Sequence, residues 1–274
     1  VKGDLYFLTH WHKDHLIGLN SKFEGTVYCS GLTAKLLNAR FPRVRTEVIK
    51  MNEAVRGTQR GIVPLDANHF PGSFMLHFKK DRVLYTGDYR LTPTMLNHLR
   101  AEVGTVDTVY VDGTFHHPSI RFLTEYQSVE KLGAFLERNS GTVLVGIFHP
   151  GICRLLVQAN LRFRIDSSIS DQLTQTLRAI YSKSICENSR IVLVNPNTHT
   201  QPVSFPTLIP SALWYCCEGN QLYTNTIHKD HRGNWRLNFT CHSDYHDNLA
   251  LFRGLKATEL IPIGSKKFNL QCNR

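Results

Sequence analysis

One short stretch of the sequence decides the fold: Thr9-His10-Trp11-His12-Lys13-Asp14-His15. It follows the apolar run 5–8, which predicts a strand that ends at a sheet edge. The turn after such a strand can fold three imidazoles and one carboxylate, spaced H-x-H-x-D-H, around one point, and transition metals prefer these ligands. The alternative is a polar loop that is merely rich in histidine, but isolated histidines do not usually occur with a carboxylate at this spacing. The stretch therefore predicts a metal site, with zinc as the first candidate.

Two later loops supply further ligands. His69 stands just before Pro71 and Gly72, which predict a tight loop that can aim a side chain inward without a helix. Asp88 follows a predicted buried strand, and a carboxylate at that sheet edge can bridge two ions through its two oxygens. Adjacent Asp14 and His15 cannot easily share one ion with the first two histidines, so we predict two sites. The tighter site has His10, His12, His69 and Asp88; the weaker site, for zinc or another divalent ion, has Asp14, His15 and the shared Asp88.

Length and composition limit the kind of protein. The 274 residues suffice for one large domain with an insertion, or for two domains. No apolar run reaches the roughly 18 residues of a transmembrane helix, and no signal sequence opens the chain, so we expect a soluble protein without a membrane partner. Seven cysteines without a C-x-x-C pair argue against a disulfide framework and a zinc ribbon, and fit a reducing compartment. Because Val1 is not an initiator, we expect a part of a longer protein.

The charge balance predicts a polyanionic partner. The formal net charge is +10, with 32 Lys and Arg against 22 Asp and Glu, and the basic residues are spread along the chain rather than gathered in a tail. This distribution favours a basic face on the folded protein, with nucleic acid as the leading partner, over a disordered arm. A merely basic surface is the alternative. Candidate contacts to a nucleic-acid backbone are Lys13, Arg90, Arg121, Lys266 and Lys267.

Apolar spacing predicts an α/β chain. Residues 26–29 have the pattern of a strand, and Ser30 can cap a helix that continues to Ala39. Farther along, residues 128–138 have helical spacing, residues 142–148 form a fully apolar strand, and residues 152–159 give a second helix.

Three motifs, in this order, resemble a known family. H-x-H-x-D-H at 10–15, D-A-N-H-x-P-G-S at 66–73 and Y-T-G-D-Y-R at 85–90 are similar to the DNA-repair branch of the metallo-β-lactamase fold, the β-CASP nucleases of the Artemis, Apollo and interstrand cross-link repair type. Many hydrolases share the first motif, whereas the other two are specific to this branch. The resemblance implies an αββα sandwich with an inserted β-CASP domain. The corresponding domain limits are 1–110, 111–200 and 201–274.

The same resemblance implies an activity and a set of residues. It implies a phosphodiesterase acting on DNA in the nucleus, usually an exonuclease that starts from a 5′ end, with single-stranded DNA or 5′ ends as partner. The catalytic residues are then Asp14, which orients the attacking water, Asp112 of motif A and His242 of motif C. A histidine at that position can donate a hydrogen bond to the phosphate or a proton to the leaving oxygen, although a helix cap is the alternative. The implied substrate-binding residues are Thr114, Gly151 and Arg154.

The inserted segment departs from the family pattern. Relatives often have Y-S-x-G-K-E after its first strand, whereas this chain has Ile152 at the lysine position. No motif B histidine is evident, which leaves His199 and His149 as candidates, and no histidine follows Ile263. The preference for a 5′-phosphate and the occupancy of the second metal site therefore remain open.

Three functions compete on the sequence alone. The first is the DNA nuclease, acting as an exonuclease or as a structure-selective endonuclease of the Artemis type. The second is a small-molecule hydrolase that shares the first motif. The third is a DNA-binding module without turnover.

Overall fold

The computed structural model describes residues 5–198, 205–211, 227–230 and 232–264. These residues form two compact units, and the chain passes from one to the other after Pro118 and back after Thr240. None of the helices in the described parts of the chain has the length and hydropathy needed to span a bilayer.

The first unit contains two sheets, three α-helices and a 3₁₀ helix over Lys13–Leu16 among its described residues. Its strands are β1 (Tyr6–Leu8), β2 (Thr26–Cys29), β3 (Arg45–Val48), β4 (Ile62–Asp66), β5 (Phe74–Phe78), β6 (Val83–Tyr85), β7 (Thr108–Asp112) and β14 (Glu259–Ile263). Its helices are α1 (Gly31–Arg40), α2 (Pro93–Glu102) and α6 (Tyr245–Gly254). The strand orders are β1-β2-β3 and β14-β7-β6-β5-β4. Ser30 caps α1 by accepting a hydrogen bond from the backbone N–H of Thr33, as its position predicts.

The two sheets pack face to face. Side chains alternate between the two faces of a strand, so consecutive residues of β5 lie in different apolar clusters. Phe74 of β5 lies in an apolar cluster with Phe7 of β1. The next residue, Met75, lies in the opposite cluster with Leu99 of α2 and Leu251 of α6. Helix α1 contacts β3 of the smaller sheet. The layers are helix, sheet, sheet and helix, which confirms the predicted αββα sandwich.

The strand directions bring three loops to one edge of the larger sheet. Strand β6 is parallel to β7, and β7 is parallel to β14. Strand β4 points the same way as β6, because each is antiparallel to β5. The carboxyl ends of β4, β6 and β7 therefore lie along one edge. His69, Asp88 and Asp112 stand after or at these ends.

The second unit is also α/β. Its described strands are β8 (Val143–Gly146), β9 (Arg164–Ile165), β10 (Ile191–Val194), β11 (Thr207–Pro210), β12 (His228–Lys229) and β13 (Trp235–Leu237), in the order β12-β13-β11-β8-β10-β9. Its helices are α3 (Glu125–Arg138), α4 (Cys153–Gln158) and α5 (Asp171–Tyr181). Every residue of β8 is buried, which fits a central strand between two parallel neighbours. Helix α3 begins three residues before the predicted start, behind a capping box of Thr124 and Gln127.

Candidate active site

Four side chains converge at the carboxyl edge of the larger sheet. His10 and His12 follow β1, His69 follows β4 and Asp88 follows β6. The Nε2 atoms of His10 and His69 lie 3.0 and 3.1 Å from Nδ1 of His12. Oδ2 of Asp88 lies 3.6 Å from Nε2 of His10 and 3.7 Å from Nε2 of His69. The structure thus brings together the four residues predicted for the tighter metal site, with their ligand atoms all within 4.8 Å of one another.

The spacing of these atoms fits a tetrahedral metal ion. Zinc binds imidazole nitrogen at about 2.0–2.1 Å, and four such bonds in a tetrahedron place the ligand atoms about 3.3 Å apart. The four separations of 3.0, 3.1, 3.6 and 3.7 Å fall on both sides of this value. Three imidazoles and a carboxylate are also the donor set of many zinc centres. A divalent metal ion therefore fits this group.

His69 is prepared as a neutral ligand by its surroundings. Its Nδ1–H donates a hydrogen bond to the backbone carbonyl of Cys241 at 2.8 Å. Because a carbonyl can only accept, Nδ1 has the proton and Nε2 keeps its lone pair for a metal. Burial lowers the pKa of His69 well below its usual value, and the charges of His242, His10 and His12 lower it further. The ring therefore stays in the neutral form that binds metals.

The loop that presents His69 needs glycine at its turn. Gly72 has φ +78°, and a Cβ atom there would lie 2.6 Å from Oγ of Ser30 at the start of α1. The hydroxyl of Ser73 accepts hydrogen bonds from the backbone N–H groups of His69 and Phe70. These contacts fix the loop, as the Pro-Gly turn in the sequence predicts.

A second group of ligand atoms shares Asp88 with the first. It consists of Asp88, Asp112 and His242. Nδ1 of His242 donates to Oδ2 of Asp112 at 2.8 Å. Burial alone would raise the pKa of Asp112, but the charge and the hydrogen bond of His242 keep it below its usual value. Burial would lower the pKa of His242, but the charge and the hydrogen bond of Asp112 raise it above that of an ordinary histidine. Each of the two groups therefore favours the charged form of the other.

The ligands predicted for the weaker site also lie near Asp88. Nε2 of His15 is 3.2 Å from Oδ2 of Asp88 and 3.7 Å from Oδ2 of Asp14. The side chain of Asp14 is 76% exposed, so solvent and substrate can reach it. Sequence reasoning gave Asp112 a catalytic role but did not group it with Asp88 and His242 as ligands. The available signal was that Asp88 follows one predicted buried strand and that Asp112 ends the next one.

The substrate-binding residues predicted in the sequence lie in both units. In the first unit, the backbone N–H of Thr114 donates to Oδ1 of Asp112 at 2.9 Å. In the second unit, Gly151 is buried in a single 3₁₀ turn over Pro150–Ile152. Arg154, in α4, forms an ion pair with Glu125 of α3, and both side chains are largely buried. A carboxylate of its own unit thus already balances the charge of Arg154.

The structure corrects one predicted DNA contact and leaves others open. Arg90 is only 3% exposed and pairs with Asp247, so the prediction that it contacts a nucleic-acid backbone is wrong. The guanidinium instead lies inside the first unit, against Asp247 and the backbone carbonyl of His242. Lys13 and Arg121 are exposed, and His149 is partly buried in the second unit. His199, Lys266 and Lys267 lie outside the described residues.

Comparisons with known proteins agree with the fold and the motifs. Residues 2–135 match the β-lactamase superfamily domain. The chain is 28% identical to 5′ exonuclease Apollo of Mus musculus, over 96% of this chain and 51% of that protein. It is 31% identical to the DNA cross-link repair protein PSO2/SNM1 of Saccharomyces cerevisiae, over 48% of this chain and 24% of that protein. It is 36% identical to the DNA cross-link repair 1A protein of Mus musculus, over 46% of this chain and 13% of that protein.

The chain thus spans about half the length of the Apollo proteins it matches from mouse and rat. A solved structure, a protein of unknown function from Enterococcus faecalis V583, superposes with a TM-score of 0.61 at 14% identity, over 94% of this chain and 74% of that one. At that identity the likeness concerns the fold alone. The resemblance inferred from the three motifs is confirmed: residues 2–135 belong to a metallo-β-lactamase domain, and the sequence relatives of the chain include 5′ exonuclease Apollo and the DNA cross-link repair proteins.

Proposed function

We propose that this protein is a metal-dependent DNA nuclease that hydrolyses phosphodiester bonds and works from the 5′ ends of single strands. The observation that carries the proposal is that Asp88 belongs to both ligand groups. A carboxylate shared in this way can hold two cations a few ångströms apart, where they stabilise the attacking and leaving oxygens of a displacement at phosphorus. The relatives named for 5′ exonuclease activity and cross-link repair, with the net charge of +10, favour DNA over a small neutral substrate.

The residues of the chain divide the chemistry among them. When bound by His10, His12, His69 and Asp88, zinc supplies acidity, since it lowers the pKa of a water from about 15.7 to about 7. Asp14, exposed beside His15, accepts a hydrogen bond from the attacking water and orients it. The Nδ1–H of His242 donates its hydrogen bond to Asp112, so Nε2 is left to contact the phosphate or to protonate the leaving oxygen.

Several finer features belong to the same proposal. Zinc is the ion of the first group, and zinc or another divalent ion occupies a second site around Asp88. The inserted β-CASP segment, predicted from the sequence over 111–200 between the parts 1–110 and 201–274, corresponds to the second unit, whose main segment runs from Ser119 to Thr240. The protein acts in the nucleus, where its DNA substrate is.

A cleavage assay tests the proposal against its competitors. We expect purified protein with zinc to shorten a 5′-phosphorylated single-stranded oligonucleotide stepwise from the 5′ end, and a chelator to stop the reaction. Asp88→Asn should remove activity, because it removes a negative charge common to both groups. Internal cuts in a hairpin would instead indicate an Artemis-type endonuclease. Hydrolysis of a thioester or nitrocefin without DNA cleavage would indicate a small-molecule hydrolase. Tight DNA binding without cleavage in the presence of any metal ion would indicate a DNA-binding module without turnover.

A further inference from the structure

A buried polar network connects helix α6 to the backbone of Asp112. Asn248, in the first turn of α6 after its cap, is fully buried. Its Nδ2 donates to the backbone carbonyl of Asp112 at 2.9 Å and lies 2.9 Å from Nδ1 of His116. Its Oδ1 accepts a hydrogen bond from the hydroxyl of Tyr89 at 2.7 Å. The amide therefore uses both its donor and its acceptor side, and it lies against the end of β7, where Asp112 stands.

A second contact connects the same helix turn to the backbone of His242. Nη1 of Arg90 donates to the carbonyl of His242 at 2.8 Å and to Oδ2 of Asp247 at 3.2 Å. The backbone N–H of Ser243 donates to the carbonyl of Tyr89 at 2.7 Å, and the N–H of Leu91 donates to Oγ of Ser243 at 2.8 Å. Residues 89–91 and 242–243 are thus joined by three hydrogen bonds. These bonds tie the loop that contains Asp88 to the loop that contains His242.

We infer that Asn248 and Arg90 are positioning residues, which set the placement of the Asp112–His242 pair and of Asp88 through backbone carbonyls. Their described hydrogen bonds go to backbone carbonyls and to side chains behind the site, and not to the ligand atoms themselves. The pair they support is a single short hydrogen bond of 2.8 Å. A displacement of about 1 Å in such a pair can reduce a reaction rate about 100-fold. The inference rests on the proposed nuclease function for its rate effect but not for its geometry.

The test compares variants that damage the network with one that damages only the core. Asn248→Ala removes the donor to Asp112 and the acceptor for Tyr89. Leu251→Ala, in the same helix, removes a fully buried apolar side chain that packs with Met75 and Leu99 and is not part of the network. Both changes should lower the melting temperature. The kinetics are measured at a temperature below the unfolding transitions of both variants. Only Asn248→Ala should then lower kcat on a single-stranded oligonucleotide, by about 10–100-fold as for other residues behind a metal centre, and its KM should be unchanged.

Arg90 offers a test by conservative replacement. Arg90→Met removes the donor to the carbonyl of His242, whereas Arg90→Lys keeps a charged donor of similar reach. The lysine variant should retain more of kcat than the methionine variant. If kcat in the variants at Asn248 and Arg90 follows only the folded fraction, or if Leu251→Ala loses as much kcat as Asn248→Ala, the inference is wrong.

A measurement without metal or substrate separates this inference from the proposed function. The Nδ1 proton of His242, hydrogen-bonded to Asp112, should give a downfield proton resonance in the metal-free protein. That resonance should shift or broaden in Asn248→Ala and Arg90→Met and stay in place in Leu251→Ala. If the wild type cleaves no DNA and the resonance behaves in this way, the nuclease proposal fails and the positioning role stands. An unchanged resonance in Asn248→Ala and Arg90→Met would overturn the positioning role, whatever the wild type cleaves.

Discussion

Adding zinc to metal-free protein should raise its melting temperature, because the ligand atoms of His10, His12, His69 and Asp88 come together only in the folded chain. An ion that binds the folded state alone stabilises it by about 2.7 kcal/mol at 100 times its dissociation constant and by about 4.1 kcal/mol at 1,000 times. A domain of this size gains about 2–4 °C for each kcal/mol. The expected increase is therefore about 5–16 °C. It can be measured by thermal unfolding of chelator-treated protein titrated with zinc chloride.

Two buried histidines of the first unit provide a matched comparison for this experiment. His69 offers a ligand nitrogen and is fully buried, whereas His77 on β5 is 6% exposed and is not a member of either ligand group. His69→Ala should lose most of the zinc-dependent increase. His77→Ala should unfold at a lower temperature than the wild type but keep the full increase on addition of zinc. An equal increase in His69→Ala, or none in the wild type, would refute the assignment of the metal group.

Three further predictions follow from single residues. Asp14→Asn should abolish DNA cleavage while leaving the melting temperature and most DNA affinity intact, because the side chain is 76% exposed and outside the core; turnover at the wild-type rate would contradict the mechanism. Arg154→Ala should leave the ratio of kcat/KM for 5′-phosphate and 5′-hydroxyl ends unchanged, because Glu125 already pairs with Arg154. In the wild type this ratio should stay below about 100, because the chain has no lysine at the family position, where a charged hydrogen bond would contribute about 1.5–3 kcal/mol. Burial raises the pKa of Asp247 to about 6, even though the charge of Arg90 lowers it. The folded state therefore binds this proton more tightly than the unfolded state, so stability should fall by about 3 kcal/mol as pH rises from about 4 to about 6; Asp247→Asn should remove that part of the decrease in urea unfolding at pH 4 and pH 7.

The tighter metal group could be predicted from the sequence because each ligand lies next to a strand end that the apolar pattern marks. His10 and His12 follow the first strand within a few residues, and His69 and Asp88 stand in turns that glycine and proline identify. Local geometry alone thus aims these side chains at the sheet edge. The αββα layers follow from the same strands, since their faces alternate between two apolar clusters.

Other features of the site depend on contacts between segments that are distant in the sequence, and local sequence patterns do not contain these contacts. The grouping of Asp112 with His242 joins residues 130 positions apart. Burial of Arg90 follows from Asp247 and from the carbonyl of His242, and the sequence around Arg90 is no different from that of a surface arginine. The neutralisation of Arg154 likewise depends on the packing of α3 against α4.

The hydrogen bond from His69 to the carbonyl of Cys241 also has a consequence for biosynthesis. It joins residues 172 positions apart, and the main segment of the second unit, from Ser119 to Thr240, is encoded between them. All four residues of the tighter metal group emerge from the ribosome early, but the partner that fixes the proton on His69 emerges only after residues 119–240 have been made. Closing so long a loop costs entropy and slows folding. A nascent chain therefore contains all four metal-ligand residues long before its metal centre is complete. The proposed nuclease stays inactive until translation has passed Cys241.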